Sequence, residues 1–143
     1  MKSVDWVALY RETPWERIER IKQGVPVSWL DLTALEIGLP KPQLAAILGI
    51  KRQGRRDTGV HRFRELGVSE RLLGLMRLLG QVRVMLDESG EPSDCNAALW
   101  FGNWLTCPLA ALRGRKPAEF LDTMEGQNLL SELLAQMQSG GVA

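Results

Sequence analysis

The sequence predicts an all-α fold. Apolar residues recur at spacings of three and four along most of the chain, the period of a helix face. Strand-like alternation is absent, and β-branched residues are scattered. Glycine and proline fall at intervals that suit short helices joined by tight turns. The chain has 143 residues, enough for one domain, or one domain with a small appendage, around a real core.

A short amphipathic piece is expected from Trp6 to about Arg11. Thr13-Pro14-Trp15-Glu16 reads as a helix start: Thr13 caps, Pro14 suits the first helical position because its missing N–H has no partner there, and Glu16 closes a capping box. That helix runs to about Lys22, where Gly24 and Pro26 stop it. Ser28 caps the next, which carries Trp29, Leu32, Leu35 and Ile37 and ends at Gly38. After the Leu39-Pro40-Lys41-Pro42 turn, Gln43 to Leu48 forms a short helix closed by Gly49. Two short helices with a tight connection, followed by a basic segment, make a helix-turn-helix-like order.

The third element of such a unit reads poorly. Lys51 to Gly59 holds two glycines and no apolar residue, whereas a groove-docked helix needs an apolar side against the first two helices. A loop is expected there, then about two helical turns over residues 60–66 with Val60, Phe63 and Leu66 inward. Ser69 is expected to cap the longest helix, through about Leu86. Its stripe of Leu72, Leu75, Met76, Leu79, Val82 and Leu86, widened by Leu73 and Met85, is broad enough to bury on two sides, with a second copy as one candidate cover. Ser93 or Asp94 caps a helix to about Trp104. A linker spans Pro108 to Arg115, Pro117 opens a brief helix with Phe120 and Leu121, and Gln127 to Gln138 is the last helix, with Leu129, Leu130, Leu133, Leu134 and Met137 on one face. Gly140-Gly141-Val142-Ala143 is a flexible end.

The net charge of +1 excludes a globally basic nucleic-acid binder, but it conceals an asymmetry. Residues 1–50 are neutral; residues 51–83 carry nine basic and three acidic side chains, and residues 84–143 three basic and eight acidic. The basic block suits a polyanion, an acidic partner or a solvated helix face. A single histidine, His61, and two cysteines, Cys95 and Cys107, exclude a disulfide scaffold and a Cys/His zinc site. His61 reads as a surface or structural residue, and both cysteines read as small core residues. The glycines match neither the phosphate-binding loop nor the dinucleotide fingerprint, so no enzyme site and no cofactor are expected. Of the tryptophans, Trp29 and Trp100 are assigned to the core, and Trp6, Trp15 and Trp104 are left open. No apolar run spans a membrane and the N-terminus has no signal-peptide pattern, so a cytoplasmic protein with reduced thiols is expected.

Glu19-Arg20-Ile21-Lys22-Gln23-Gly24-Val25-Pro26 followed by Leu39 to Ile50 resembles the Xre-like antitoxins of RES–Xre toxin–antitoxin pairs, the ParS/MbcA group. The C-terminal match is more specific: Pro108-Leu109-Ala110-Ala111-Leu112-Arg113-Gly114-Arg115-Lys116-Pro117-Ala118-Glu119-Phe120-Leu121 is similar to that family's "NPALGGRTPLELL" signature, and Glu125-Gly126, Leu133-Leu134 and the Gly140–Ala143 end follow in the family's order.

The resemblance implies an antitoxin, not an enzyme. Residues 1–26 would be a helical extension, 27–88 a helix-turn-helix-like dimerisation and DNA-binding region, and 89–143 a toxin-binding region with a C-terminal tail. The implied partner is a RES-domain toxin that degrades NAD or transfers its ADP-ribose, with the antitoxin's C-terminal end lying over the NAD pocket. A homodimer within a hetero-oligomeric complex is implied. The residues so assigned to toxin binding are Leu130, Leu134, Met137, Gly140, Gly141, Val142, Ala143, Arg113 and Arg115. Operator DNA would meet Lys51, Arg52, Arg55, Arg56 and Arg62, chiefly at phosphates, and the alternative function is a regulator acting on its own operon. The chain departs from the family where Gly54, Asp57 and Gly59 interrupt the reading helix.

Overall fold

The computed structural model describes residues 4–51, 61–90 and 96–140. Within them the chain is helical without a strand: α1 (Trp6–Arg11), α2 (Pro14–Gln23), α3 (Ser28–Ile37), α4 (Lys41–Ile47), α5 (Leu66–Glu88), α6 (Ala97–Leu105) and α7 (Met124–Gln138), with 3-10 turns at Ala110–Leu112 and Pro117–Phe120. The all-α expectation is met.

The early helices follow their caps. Asp5 Oδ1 accepts from the Ala8 N–H at 3.0 Å and opens α1. The capping box on α2 is complete: Glu16 N–H donates to Thr13 Oγ1 at 3.2 Å and Thr13 N–H to Glu16 Oε1 at 2.8 Å. At α3 the assignment shifts by one residue. Val27 is the cap, Ser28 is the first helical residue and makes no capping bond, and the carbonyls of Pro26 and Val27 accept the first-turn N–H groups at 3.0 Å. Helix α4 starts two residues earlier than expected, because Pro42 suits its first turn. Helices α3 and α4 follow one another through a short connection containing Gly38 and Pro40. The loop expected from Lys51 to Gly59 lies, after Lys51, outside the described residues.

Two expectations around residues 60–69 are corrected. Residues 61–63 are not helical but pair with the stretch before α3. Val27 N–H donates to the His61 carbonyl at 2.9 Å, and Phe63 N–H to the Val25 carbonyl at 3.0 Å. Phe63 is buried as expected, but Leu66 is 55% exposed. Ser69 does not cap α5; it lies within it, fully buried, and its hydroxyl accepts from Val25 N–H at 2.9 Å. A donor on a segment 44 residues away takes the role that local capping was expected to fill.

Helix α5 is the axis of the molecule, with α1, α2, α6 and α7 packed on it and α3 joined to α4 and α6. Its apolar stripe is covered within one chain, so the stripe's breadth calls for no second copy; Leu86 alone of the expected stripe is only partly buried. Close crossings depend on glycine. A Cβ at Gly80 would lie 2.1 Å from the Trp6 carbonyl oxygen, and one at Gly102 would lie 1.9 Å from that of Ile37, so α1 meets α5 and α3 meets α6 backbone to backbone.

The aromatic and thiol assignments also change. Trp29 and Trp100 are only partly buried, while Trp104 is buried; Trp100 stacks on Trp104 with centroids 6.1 Å apart. Cys107 is exposed rather than in the core, because α6 ends before it. Cys95 lies outside the described residues. Leu35 points to solvent at 74% exposure.

Candidate functional site

The C-terminal third builds a rigid surface on α5. Asn96 opens α6 by accepting from Leu99 N–H at 3.0 Å; the expected caps, Ser93 or Asp94, lie outside the described residues. After α6 the chain folds into a compact loop. Leu109 N–H donates to the Arg115 carbonyl at 3.0 Å and Gly114 N–H to the Leu109 carbonyl at 2.9 Å, closing a small ring over the buried Leu112. The expected linker is thus an ordered turn.

Arg113 sits at its tip with φ 60 and ψ 35, the left-handed region that a non-glycine residue occupies at a cost. Arg113, Arg115 and Lys116 are all exposed. Arg115 is held by Glu119, Nε to Oε1 at 3.0 Å, and its guanidinium lies 5.2 Å from the Phe120 ring centre. The Lys116 N–H donates to Glu119 Oε2 at 3.1 Å. That backbone bond first, and the Arg115 side chain second, hold the Glu119 carboxyl below its ordinary pKa. The loop therefore presents a fixed cationic edge, anchored below by Leu112, Pro117 and Leu121.

Helix α7 follows, opened by Thr123 Oγ1, which accepts from Gly126 N–H at 2.9 Å. It begins three residues before the expected Gln127. Side-chain bonds hold it, Gln138 Nε2 donating to the Glu88 carboxylate of α5 among them. Gln127 Nε2 donates to the carbonyls of Arg71 (3.0 Å) and Leu121 (2.9 Å), Gln81 Nε2 to the Ser131 carbonyl (3.0 Å), and Ser131 Oγ to Gln81 Oε1 (2.8 Å). Its inner face is Leu130, Leu133 and Leu134.

This settles where the expected contact residues lie. Leu130 and Leu134 are fully buried in the chain's own core, so they offer a partner no surface, and their assignment as partner anchors is corrected. The last-helix stripe serves folding instead. Met137 is partly buried against the same core. The exposed apolar side chain on α7 is Leu129, at 43%; on α6, Leu99 is 47% exposed. Periodicity places Leu129 on one face with Leu130, Leu133 and Leu134, but it stands at the margin of that stripe and is exposed. Gly140 is exposed at the end of α7, and Gly141, Val142 and Ala143 lie outside the described residues.

On the N-terminal side, Lys51 is exposed, and Arg52, Arg55 and Arg56 lie outside the described residues. Arg62 has a structural role, its Nη1 donating to the Gly24 carbonyl at 2.7 Å. Among the described residues no cluster of His, Cys, Asp or Glu forms a metal site, and no helix is long and apolar enough to cross a membrane.

Residues 96–140, which hold α6, the cationic loop and α7, match the family model described as "Antitoxin Xre/MbcA/ParS C-terminal toxin-binding domain". Across 137 residues, 95% of this chain, it is 39% identical to a protein of Sphingobium sp. (strain YBL2) described as "Prs ADP-ribosylating antitoxin", 86% of whose length is covered. With the matched surface ordered and exposed as described, the chain belongs to the Xre/MbcA/ParS antitoxins of toxin–antitoxin systems.

Proposed function

We propose that this antitoxin neutralises a RES-domain toxin that consumes NAD, and that it does so by seating its C-terminal end over the toxin's NAD pocket. The observation that carries the reading is the match of residues 96–140 to a toxin-binding domain. The similar Sphingobium protein is named for ADP-ribosylation, a reaction that draws its ADP-ribose from NAD, and this supports the class of partner. Side-chain bonds at Gln127, Ser131 and Gln138 pin α7 along its length, up to the residues that precede Gly140. The Gly-Gly-Val-Ala stretch is narrow, which suits entry into a pocket shaped for a dinucleotide.

The rest of the contact would come from Arg113, Arg115 and Leu129, which are exposed in the matched region, and from the partly buried Met137. The acidic balance of residues 84–143 complements a basic site on the toxin. In this reading the chain is an inhibitor without chemistry of its own, cytoplasmic, and dimeric within a hetero-oligomeric complex. The test is to co-express the cognate toxin with a chain ending at Gln138. Growth arrest despite an intact complex supports the tail as the inhibitory part; full neutralisation overturns it.

A second reading, control of its own operon, is favoured by the α3–α4 pair with its tight connection, followed by the basic segment that starts at Lys51. Phosphate contacts from Lys51, Arg52, Arg55 and Arg56 give a steep salt dependence with weak sequence preference. A gel shift on the operon's promoter at low and high salt tests this; no binding at low salt removes it.

A further inference from the structure

An apolar strip crosses from α3 to α6 on the outside of the molecule. Leu35, in the last turn of α3, is 74% exposed, and Leu99, in the first turn of α6, is 47% exposed. Leu99 leans over the end of α3: a Cβ at Gly38 would lie 3.1 Å from Leu99 Cδ2. Leu35 stands one turn before Gly38, and residues at that spacing share a helix face. Leu35 and Gly38 are both exposed there. The strip therefore consists of Leu35, the bare backbone of Gly38, and Leu99.

Its base is rigid. A Cβ at Gly102 would lie 1.9 Å from the Ile37 carbonyl oxygen, so the two helices cross in direct contact, with Ala34, Ile37, Ala98 and Phe101 buried beneath them. Its border is polar. Asp31, one turn before Leu35, pairs with Lys41 of α4, Oδ1 to Nζ at 2.7 Å, and Asn96 and Asn103 are exposed on either side of Leu99 along α6. An apolar centre inside a polar border is the anatomy of a protein interface. Folding does not account for the strip. Neither Leu35 nor Leu99 is packed on the core, and at Leu35 a glutamine or a lysine would serve the helix as well.

Continuity names the occupant. Leu99 belongs to residues 96–140, the part that matches a toxin-binding domain, whereas Leu35 lies outside it. We propose that the toxin contact runs past this domain onto α3, with Leu35 and Leu99 seated side by side on one apolar spot of the toxin. The proposal rests on the toxin-neutralising reading only for the fact of binding; it is independent of the toxin's reaction and of the tail.

The test measures the affinity of the purified cognate toxin for the full-length chain by calorimetry, beside Leu35→Glu, Leu99→Glu and Trp15→Glu. Trp15, 80% exposed on α2, controls for a charge placed on any exposed apolar residue. Leu35→Glu and Leu99→Glu are each expected to weaken binding about tenfold or more, and Trp15→Glu to leave it within about twofold. Leu35→Met is expected to keep the parent affinity within about threefold, because it keeps the apolar contact. Thermal unfolding verifies each fold, and Leu35→Gln decides the matter should Leu35→Glu not fold. Parent affinity in Leu35→Glu overturns the proposal, and with a weakened Leu99→Glu it places the edge of the contact within residues 96–140. Equal losses in Leu35→Glu and Trp15→Glu also overturn it. So does a dimer of the free chain, seen by light scattering, that Leu35→Glu splits without changing toxin affinity, since a second copy then covers the strip. Failure of the parent chain to bind the toxin overturns the functional reading and this proposal together, an outcome distinct from loss in Leu35→Glu alone.

Discussion

Arg113 holds a left-handed conformation that glycine adopts without the side-chain penalty. Arg113→Gly is expected to raise stability by about 1 kcal/mol in chemical denaturation, the order of the left-handed penalty less the added freedom of the unfolded chain. If Arg113 meets the toxin, the same change lowers affinity, so stability and binding move in opposite directions. Glu119 gives a pH signature. Its folded pKa lies below the ordinary 4.5, so its contribution is present above that value and is lost as pH falls through the folded one. Glu119→Gln is therefore expected to unfold at lower temperature than the parent at pH 7, with the gap closing as pH falls well below 4.5, measured by calorimetry across that range. The exposed position of Glu119 keeps the effect small. Residue roles were the least legible from sequence. Leu130 and Leu134 share a periodicity that fits a core face and a docking face equally well, and only the position of α5 decides between them.

Helices were legible where their signals were local. The Asp5 and Thr13 caps are each satisfied within three residues, so α1 and the start of α2 fall where the sequence puts them. The start of α5 was not, because the groups that define it are distant in sequence: Ser69 answers Val25, and residues 61–63 take an extended path along residues 25–27. Nor does spacing show which glycine is a stop and which a crossing. Gly80 sits inside a helix, yet a side chain there strikes the backbone of Trp6. Gly80→Ala is expected to cost about 2–3 kcal/mol by denaturant unfolding, as overpacking against a backbone does, despite alanine's better helix propensity. On α7 the inner and outer faces separate in a paired measurement. Leu134→Ala is expected to lose about 2–5 kcal/mol of stability. Leu129→Glu is expected to leave stability within about 0.5 kcal/mol, as surface changes do, and to weaken toxin binding by about tenfold or more if α7 carries an interfacial anchor.

At the scale of the molecule, one hydrophobic core runs from Leu9 to Leu134, so the toxin-binding region is built on the same α5 that holds the N-terminal helices. The charge asymmetry has a place in this architecture. The basic block opens after α4 and continues into α5, and the acidic C-terminal third is interrupted by the cationic loop at Arg113, Arg115 and Lys116. The central claim is that this antitoxin silences its partner through the tail that leaves α7. It is tested most directly by measuring NAD consumption by the purified cognate toxin with the full-length chain and with a chain ending at Gln138, at concentrations where both are bound. The account predicts that the full-length chain abolishes NAD turnover, while the shortened chain binds and leaves turnover largely intact. Equal inhibition by the two chains would contradict it.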